Sequence, residues 1–375
     1  MITNFFFYLV IFLFSFGQLG RVSLEHGLIN FYVYEIFLVM FFINLFFKFK
    51  FKPLISFFKT EKTLFVFFAW TILTYFISLF YFTGTENLIA LLYLLKIIFY
   101  GAFYLYLSSY LKHNKGGETV LRRGVIIFAV FTALSSGVQY LFYPDLRNLI
   151  YSGWDPHLNR LFGVFFDTSL AAAIYGLVFL YFYKRKKIIF SVIFITLFIL
   201  TFSRSAYVML LFTILFDIFR KKNIKFGILI LILFFAIFAF VPKRFGIGVD
   251  LTRTFSVSSR VADYQKAILI WQKSPVIGHG YNHIQFIKEK MNLLGRSSDL
   301  PFHSEASFSS SYMIVLVTTG IVGIILFLLS LKKIILDNKK SFIYVMFICL
   351  LSLVDNIILH PFILFLMGVI ILSDN

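Results

Sequence analysis

KRKKIIFSVIFITLFILTFSRSAYVMLLFTILFDIFRKKNIK, residues 184–225, decides how this chain is folded. Two basic runs, KRKK (184–187) and RKKNIK (220–225), bracket the apolar interval 188–219. Short loops rich in Lys and Arg stay on the cytoplasmic side of a membrane. One crossing would put the two runs on opposite sides. Two crossings, joined at TFSRSAY (201–207), keep both inside. Each half then holds about 15 residues, or ~22 Å of helix, short of the ~30 Å hydrocarbon core. The turn carrying Arg204 is therefore expected below the outer membrane surface, in a protein-lined recess. An Arg at depth costs at least ~2.5 kcal/mol and turns to a cavity or a partner.

Working outward, apolar runs of spanning length lie at 4–20, 28–47, 63–82, 87–109, 124–143, 168–183, 224–241, 307–331, 341–354 and 356–373. The last two are separated only by Asp355 and Asn356. Basic clusters stand at 48–62, 112–123, 184–187, 220–225 and 332–340. Every cluster falls inside if 188–219 crosses twice. The expectation is an all-α polytopic membrane protein of about twelve transmembrane helices, one domain over 1–375, with both termini cytoplasmic.

Composition supports this class. Hydrophobic residues make up 60% and charged residues 14% of the chain, against ~45–50% and ~25% in soluble domains. The net charge of +18 sits mostly in the short loops, where it sets topology; nucleic acid is not an expected partner. The single Cys349 forms no internal disulfide. The first apolar run has no basic flank or small-residue cleavage site, so it reads as a span and not as a signal peptide.

The outer loops are then 21–27, 83–86, 144–167, 201–206, 242–306 and 355–360. Two are long. The loop 242–306 holds nine Lys/Arg and five acids. Within it, Ser259 is a candidate helix cap, and Val261, Tyr264, Ala267, Ile268 and Trp271 recur at helical spacing. That pattern predicts an amphipathic helix lying along the membrane interface, ended by Ser274-Pro275. SPVIGHGYN (274–282) follows as a glycine-hinged turn.

Phosphate-cradling glycine loops and a nucleophile elbow are absent. His279, His283 and His303 lack a metal-binding pattern, and neither metal nor cofactor is expected. Glu35, Lys96 and Asp217 are the few ionisable residues in spans. What remains is a set of outward arginines: Arg160, Arg204, Arg253 and Arg260. Paired guanidinium donors suit phosphate, so the expected ligand is anionic and at the membrane surface; a lipid-linked pyrophosphate meets both conditions.

TFSRSAYVMLL (201–211), SSRVADYQKAILIWQKSPVIGHGYN (258–282), SSSYMIVLVTTGIVGIILFL (309–328) and NRLFGVFFDTSLAAA (159–173) together resemble motifs of the O-antigen polymerase and ligase superfamily, over roughly 159–331. The resemblance implies a GT-C-like enzyme in the bacterial inner membrane. It would transfer glycosyl groups from undecaprenyl-pyrophosphate-linked oligosaccharide, without a metal, on the periplasmic face. It implies that Arg204 and Arg260 hold the donor pyrophosphate. Arg160 matches a third basic position, and Arg253, His279 and Tyr264 join it as candidate substrate-binding residues. Where O-antigen ligases resemble one another in an acceptor-activating His, this chain has Ser309. That favours a polymerase of lipid-linked repeats, with His303 or Glu305 as base. The alternatives are an O-antigen ligase acting on lipid A core and a lipid-linked oligosaccharide flippase. Membrane lipids and a chain-length regulator protein complete the expected partners.

Overall fold

The computed structural model describes residues 2–114, 116–222, 255–294, 306–337 and 340–374, with 225, 228 and 231. Helices dominate. They are α1 (Ile2–Phe14), α2 (Val33–Phe49), α3 (Lys52–Thr60), α4 (Lys62–Ser78), α5 (Gly84–His113), α6 (Gly117–Phe142) and α7 (Thr168–Lys184). After these come α8 (Ile188–Leu200), α9 (Arg204–Arg220), α10 (Phe255–Trp271), α11 (Ile284–Lys290), α12 (Ser311–Asp337), α13 (Phe342–Leu351) and α14 (Pro361–Ser373). By length and composition α5, α6 and α12 are each able to cross a membrane. Eleven of the twelve expected spans have a helix at their place; the other, 224–241, lies outside the described residues apart from single positions.

The interval 188–219 is two helices. α8 ends at Leu200 and α9 begins at Arg204. At 13 and 17 residues they rise ~20 and ~26 Å. The last apolar pair is shorter still: α13 has 10 residues and α14 has 13. The break between them is wider than Asp355 and Asn356 alone, running from 352 to 360.

α7 is the axis of the bundle. Asp167 caps it, accepting from the Ser169 and Leu170 amides at 2.6 and 3.0 Å. From Leu170 to Phe182 every residue is buried. A helix apolar on all sides belongs at the centre of a bundle, and the run Ala171-Ala172-Ala173 lets its neighbours α8, α9, α13 and α14 come close. The rim is the reverse of a soluble protein: Phe5, Phe47, Phe80, Leu141, Phe142, Ile188 and Ile189 are all exposed.

Contacts gather the basic clusters at one end. Arg122 donates to the Ser373 carbonyl, Arg185 and Lys184 pair with Asp374, and Lys333 pairs with Glu61. Asn4, bonded to Tyr110, is at this end too, beside Lys48.

The described residues are mostly helical, as expected of an all-α membrane protein; beside the helices, Arg21–Leu24 and Ile29–Tyr32 form a small antiparallel β-hairpin, β1 and β2. Arg21 Nε ties it, donating to Ser23 Oγ and Asn30 Oδ1, both at 2.8 Å. The expected amphipathic helix, α10, packs against α12; Asp263 accepts from the Ser309 amide and Tyr264 donates to the Leu353 carbonyl. It starts at Phe255, before Ser259, and the buried positions are Ala267 and Ile270. Val261 and Ile268 of the expected stripe are exposed.

Candidate active site

At the end of the bundle opposite the basic clusters, three distant segments meet at one carboxylate. Asp355, in the break between α13 and α14, is buried. Arg260 Nη2 of α10 donates to its Oδ1 at 2.6 Å. Ser205 Oγ of α9 donates to its Oδ2 at 2.7 Å. Arg204 is the residue before that serine and opens α9. Ser203, the helix cap, makes no side-chain capping bond. The positive end of the α9 dipole and the Arg204 cation thus stand together, which favours an anion.

The turn that presents Arg204 is strained and held. Phe202 has φ +50°, a left-handed conformation that costs a bulky residue ~1–3 kcal/mol. Arg160 holds it in place. Its Nε donates to the Thr201 carbonyl at 3.0 Å and its Nη2 to the Phe202 carbonyl at 3.1 Å. The Leu161 amide adds a bond to the Leu200 carbonyl at 2.9 Å. Arg160 is buried, so in this structure it supports the turn from the long loop 144–167. Asp167 stands close by. Burial pushes its carboxyl above the usual range, and the carboxylates of Asp155 and Asp355 push it the same way.

Tyr264 reaches the same break through the Leu353 carbonyl, one turn along α10 from Arg260. His279 is elsewhere: its ring Nε2 lies 2.9 Å from the Ile270 carbonyl and its amide donates to the Val317 carbonyl. Arg253, His303 and Glu305 lie outside the described residues. Ser309, at the position of the ligase histidine, has its amide on Asp263 at 2.5 Å.

The glycine-rich turn has a different task. α12 breaks at Gly320, where φ is +68°. The His279 and Gly280 amides donate to the freed carbonyls of Val317 and Thr318, at 3.0 and 2.9 Å. The Ile321 amide donates to the Pro275 carbonyl at 2.9 Å, and Trp70 Nε1 to the Thr319 carbonyl at 2.9 Å. SPVIGHGYN is thus docked into a broken helix, each partner satisfying the other's backbone, the condition for irregular chain within a membrane protein.

Asp355 and Ser205 were not singled out by sequence. The signal was present: Asp355 is an acid inside an apolar interval of over 30 residues, 341–373, and such acids mark functional positions.

The sequence model of a family described as O-antigen ligase matches residues 189–328. No curated protein matches the chain. The matched segment runs from α8 through most of α12 and so contains Arg204, Ser205 and Arg260, but neither Arg160 nor Asp355.

Proposed function

Taking residues 189–328 as a domain of the O-antigen polymerase and ligase superfamily, we propose that the protein polymerises lipid-linked oligosaccharide repeats. The donor is a saccharide on undecaprenyl pyrophosphate, bound on the periplasmic face, and the acceptor is a second lipid-linked repeat. The observation that carries the reading is the meeting of Arg260 and the start of α9 at Asp355.

In the reaction, an acceptor hydroxyl attacks the anomeric carbon of the donor. The new glycosidic C–O bond forms as the bond to pyrophosphate breaks, and negative charge grows on the departing pyrophosphate. Fixed cations at that place stabilise the transition state more than the ground state. Arg204, Arg260 and the N-terminal, positive end of the α9 dipole supply them. Asp355 is a positioning residue: it aims the Arg260 guanidinium and links it to the Arg204 turn, while Arg160 supports that turn from below. The hydroxyl proton goes to a base within hydrogen-bond reach, and His303 and Glu305 are the candidates. Ser309 in place of the ligase histidine supports a polymerase over transfer to lipid A core.

The test uses purified protein and lipid-linked repeats. Arg204→Ala and Arg260→Ala should each abolish polymer while the protein still accumulates in the membrane. Wild-type polymer lengths in both variants would overturn the mechanism. Transfer to lipid A core without chain extension would favour the ligase, and lipid scrambling with no glycosidic product the flippase.

A further inference from the structure

A cavity with polar groups in its wall opens beside Asn356, the residue after Asp355. It is lined by Asn30, Tyr93, Lys96, Asn282, Asn356 and His360, among others, and encloses about 230 Å³. That is below the ~300–1,000 Å³ of clefts for drug-sized ligands, which suits one sugar ring better than a chain. Lys96 belongs to α5 and is the one charged side chain among the described residues that line the cavity. Its Nζ lies 2.9 Å from Glu35 Oε1 and 3.1 Å from the Asn30 carbonyl, and 4.9 Å from the centre of the Tyr32 ring. Glu35 is fixed from behind by Tyr100 Oη at 2.7 Å and the Tyr32 amide at 3.1 Å. The Tyr34 and Tyr100 hydroxyls are 2.6 Å apart.

An ion pair between two spanning helices is costly unless well bonded, and its presence marks a working position. Here the ammonium faces a cavity, not the bundle core. An ammonium has three donors, and two are engaged by Glu35 and Asn30. The pair is also neutral as a unit. With the amides of Asn282 and Asn356 and the ring of Tyr93, the wall combines aromatic faces with donors and acceptors around a compensated charge. That is the chemistry of an uncharged polyhydroxyl ligand. It contrasts with the arginine centre, which suits an anion. The two are adjacent in the chain: Asn356 follows Asp355 and accepts from Ser311 Oγ at 3.0 Å.

We infer that this cavity binds a sugar unit of the acceptor saccharide, with Lys96, Asn282 and Asn356 fixing its hydroxyls so that one points toward Asp355. The inference rests on the glycosyl-transfer reading above. A transferase for two large substrates needs a donor and an acceptor subsite side by side, and these two polar centres are joined at 355–356.

The test separates the subsites with two probes on the purified full chain: the native repeat oligosaccharide freed of lipid by mild acid, and undecaprenyl pyrophosphate without sugar. Lys96→Met alone would strand Glu35, so the double variant Glu35→Gln/Lys96→Met is read together with Asn282→Ala. Both should bind the free saccharide about tenfold more weakly, the loss expected for one or two hydrogen bonds, and bind undecaprenyl pyrophosphate as wild type does. Arg204→Ala and Arg260→Ala should do the reverse. Saccharide binding unchanged in Asn282→Ala and in the double variant would overturn the inference, as would loss of undecaprenyl pyrophosphate binding in either. If wild-type protein binds both probes in this pattern but forms no glycosidic bond, the cavity stands as a sugar site and the transferase reading fails instead.

Discussion

At the scale of single residues, the Asp355 carboxylate is the point where two predictions of charge and shape part. Asp355→Asn keeps the volume and one acceptor oxygen but removes the charge that holds Arg260 Nη2 at 2.6 Å. A charge-assisted bond is roughly twice as strong as a neutral one. The expected result is about a tenfold or greater fall in initial polymerisation rate, with membrane abundance unchanged. A rate equal to wild type would show that Arg260 needs no such support. His283 gives a pH dependence unrelated to catalysis. It is fully buried, its ring lies 4.2 Å from that of Phe82, and its Nε2 donates to Asn87 Oδ1 at 3.0 Å. Asn87 Nδ2 is bonded to the Leu79 and Phe82 carbonyls, which fixes the amide that way round. Burial pushes the imidazole down to about 4, from ~6.5 in an open chain. Between those values the unfolded chain takes up a proton that the folded one refuses. The stabilisation is full above pH ~6.5 and is lost as pH falls toward 4, by up to about 3 kcal/mol. His360, pushed to about 3 by burial and then by Lys96, acts in the same direction. Thermal midpoints in detergent should fall from pH 7 to pH 5, and His283→Asn should flatten that slope; an equal slope would refute the assignment. The arginines were legible because their residue type names their chemistry. Asp355 and His283 were not, since their meaning comes from partners nearly 100 and 200 residues away in sequence.

At the scale of elements, what the sequence made legible was the break between α8 and α9, because charge on both sides demanded a return. The opposite holds for the docking of SPVIGHGYN into α12. Nothing local marks Thr318 to Gly320 as a broken turn; the break exists because another segment satisfies its carbonyls. The β-hairpin at Arg21–Leu24 and Ile29–Tyr32 was missed for a similar reason, as its apolar residues merge with the following span. α10 was legible as a helix, yet its buried face was misjudged. Val257, Val261, Ile268 and Leu269 are apolar and exposed, so hydrophobicity alone does not pick the packed side. The docked turn makes a direct prediction. A Cβ at Gly320 would lie 2.1 Å from the Val276 carbonyl oxygen, with φ at +68°. Side-chain rotation cannot relieve a clash with backbone, so Gly320→Ala should cost well over 1 kcal/mol. Gly137 is within α6, and a Cβ there meets nothing within 4 Å. Gly137→Ala should therefore stabilise by about 0.5–1 kcal/mol. Thermal unfolding of the two variants in one detergent compares them directly. Equal stability would mean that the turn and the helix break are not locked together.

At the scale of the whole molecule, the proposed periplasmic placement of the site depends on the expected arrangement with both ends inside. Three observations bear on it. The basic clusters are tied to one another at one end by Arg122, Arg185, Lys184 and Lys333. The Arg260–Asp355 pair is at the other. The bundle's outer surface is apolar, with Phe47 and Phe80 at 74% and 89% exposure, a surface that water disfavours and lipid tolerates. The two half-length pairs, α8 with α9 and α13 with α14, both turn on the site's side. Arg204 and Asp355 are the residues at the two turns. Sidedness is open to direct measurement because Cys349 is the chain's single cysteine and is buried. In a Cys349→Ala background, Asn148→Cys and Ser259→Cys place thiols at exposed positions on the site's side, and Lys112→Cys places one among the basic clusters. A membrane-impermeant maleimide should label the first two in intact spheroplasts and the third only after permeabilisation. Labelling of Lys112→Cys in intact cells, with Ser259→Cys protected, would turn the protein over in the membrane. The arginine centre would then face the cytoplasm, where Lys- and Arg-rich ends are retained by the membrane potential and lipid charge. That outcome would contradict the charge pattern of 184–225, from which the topology follows.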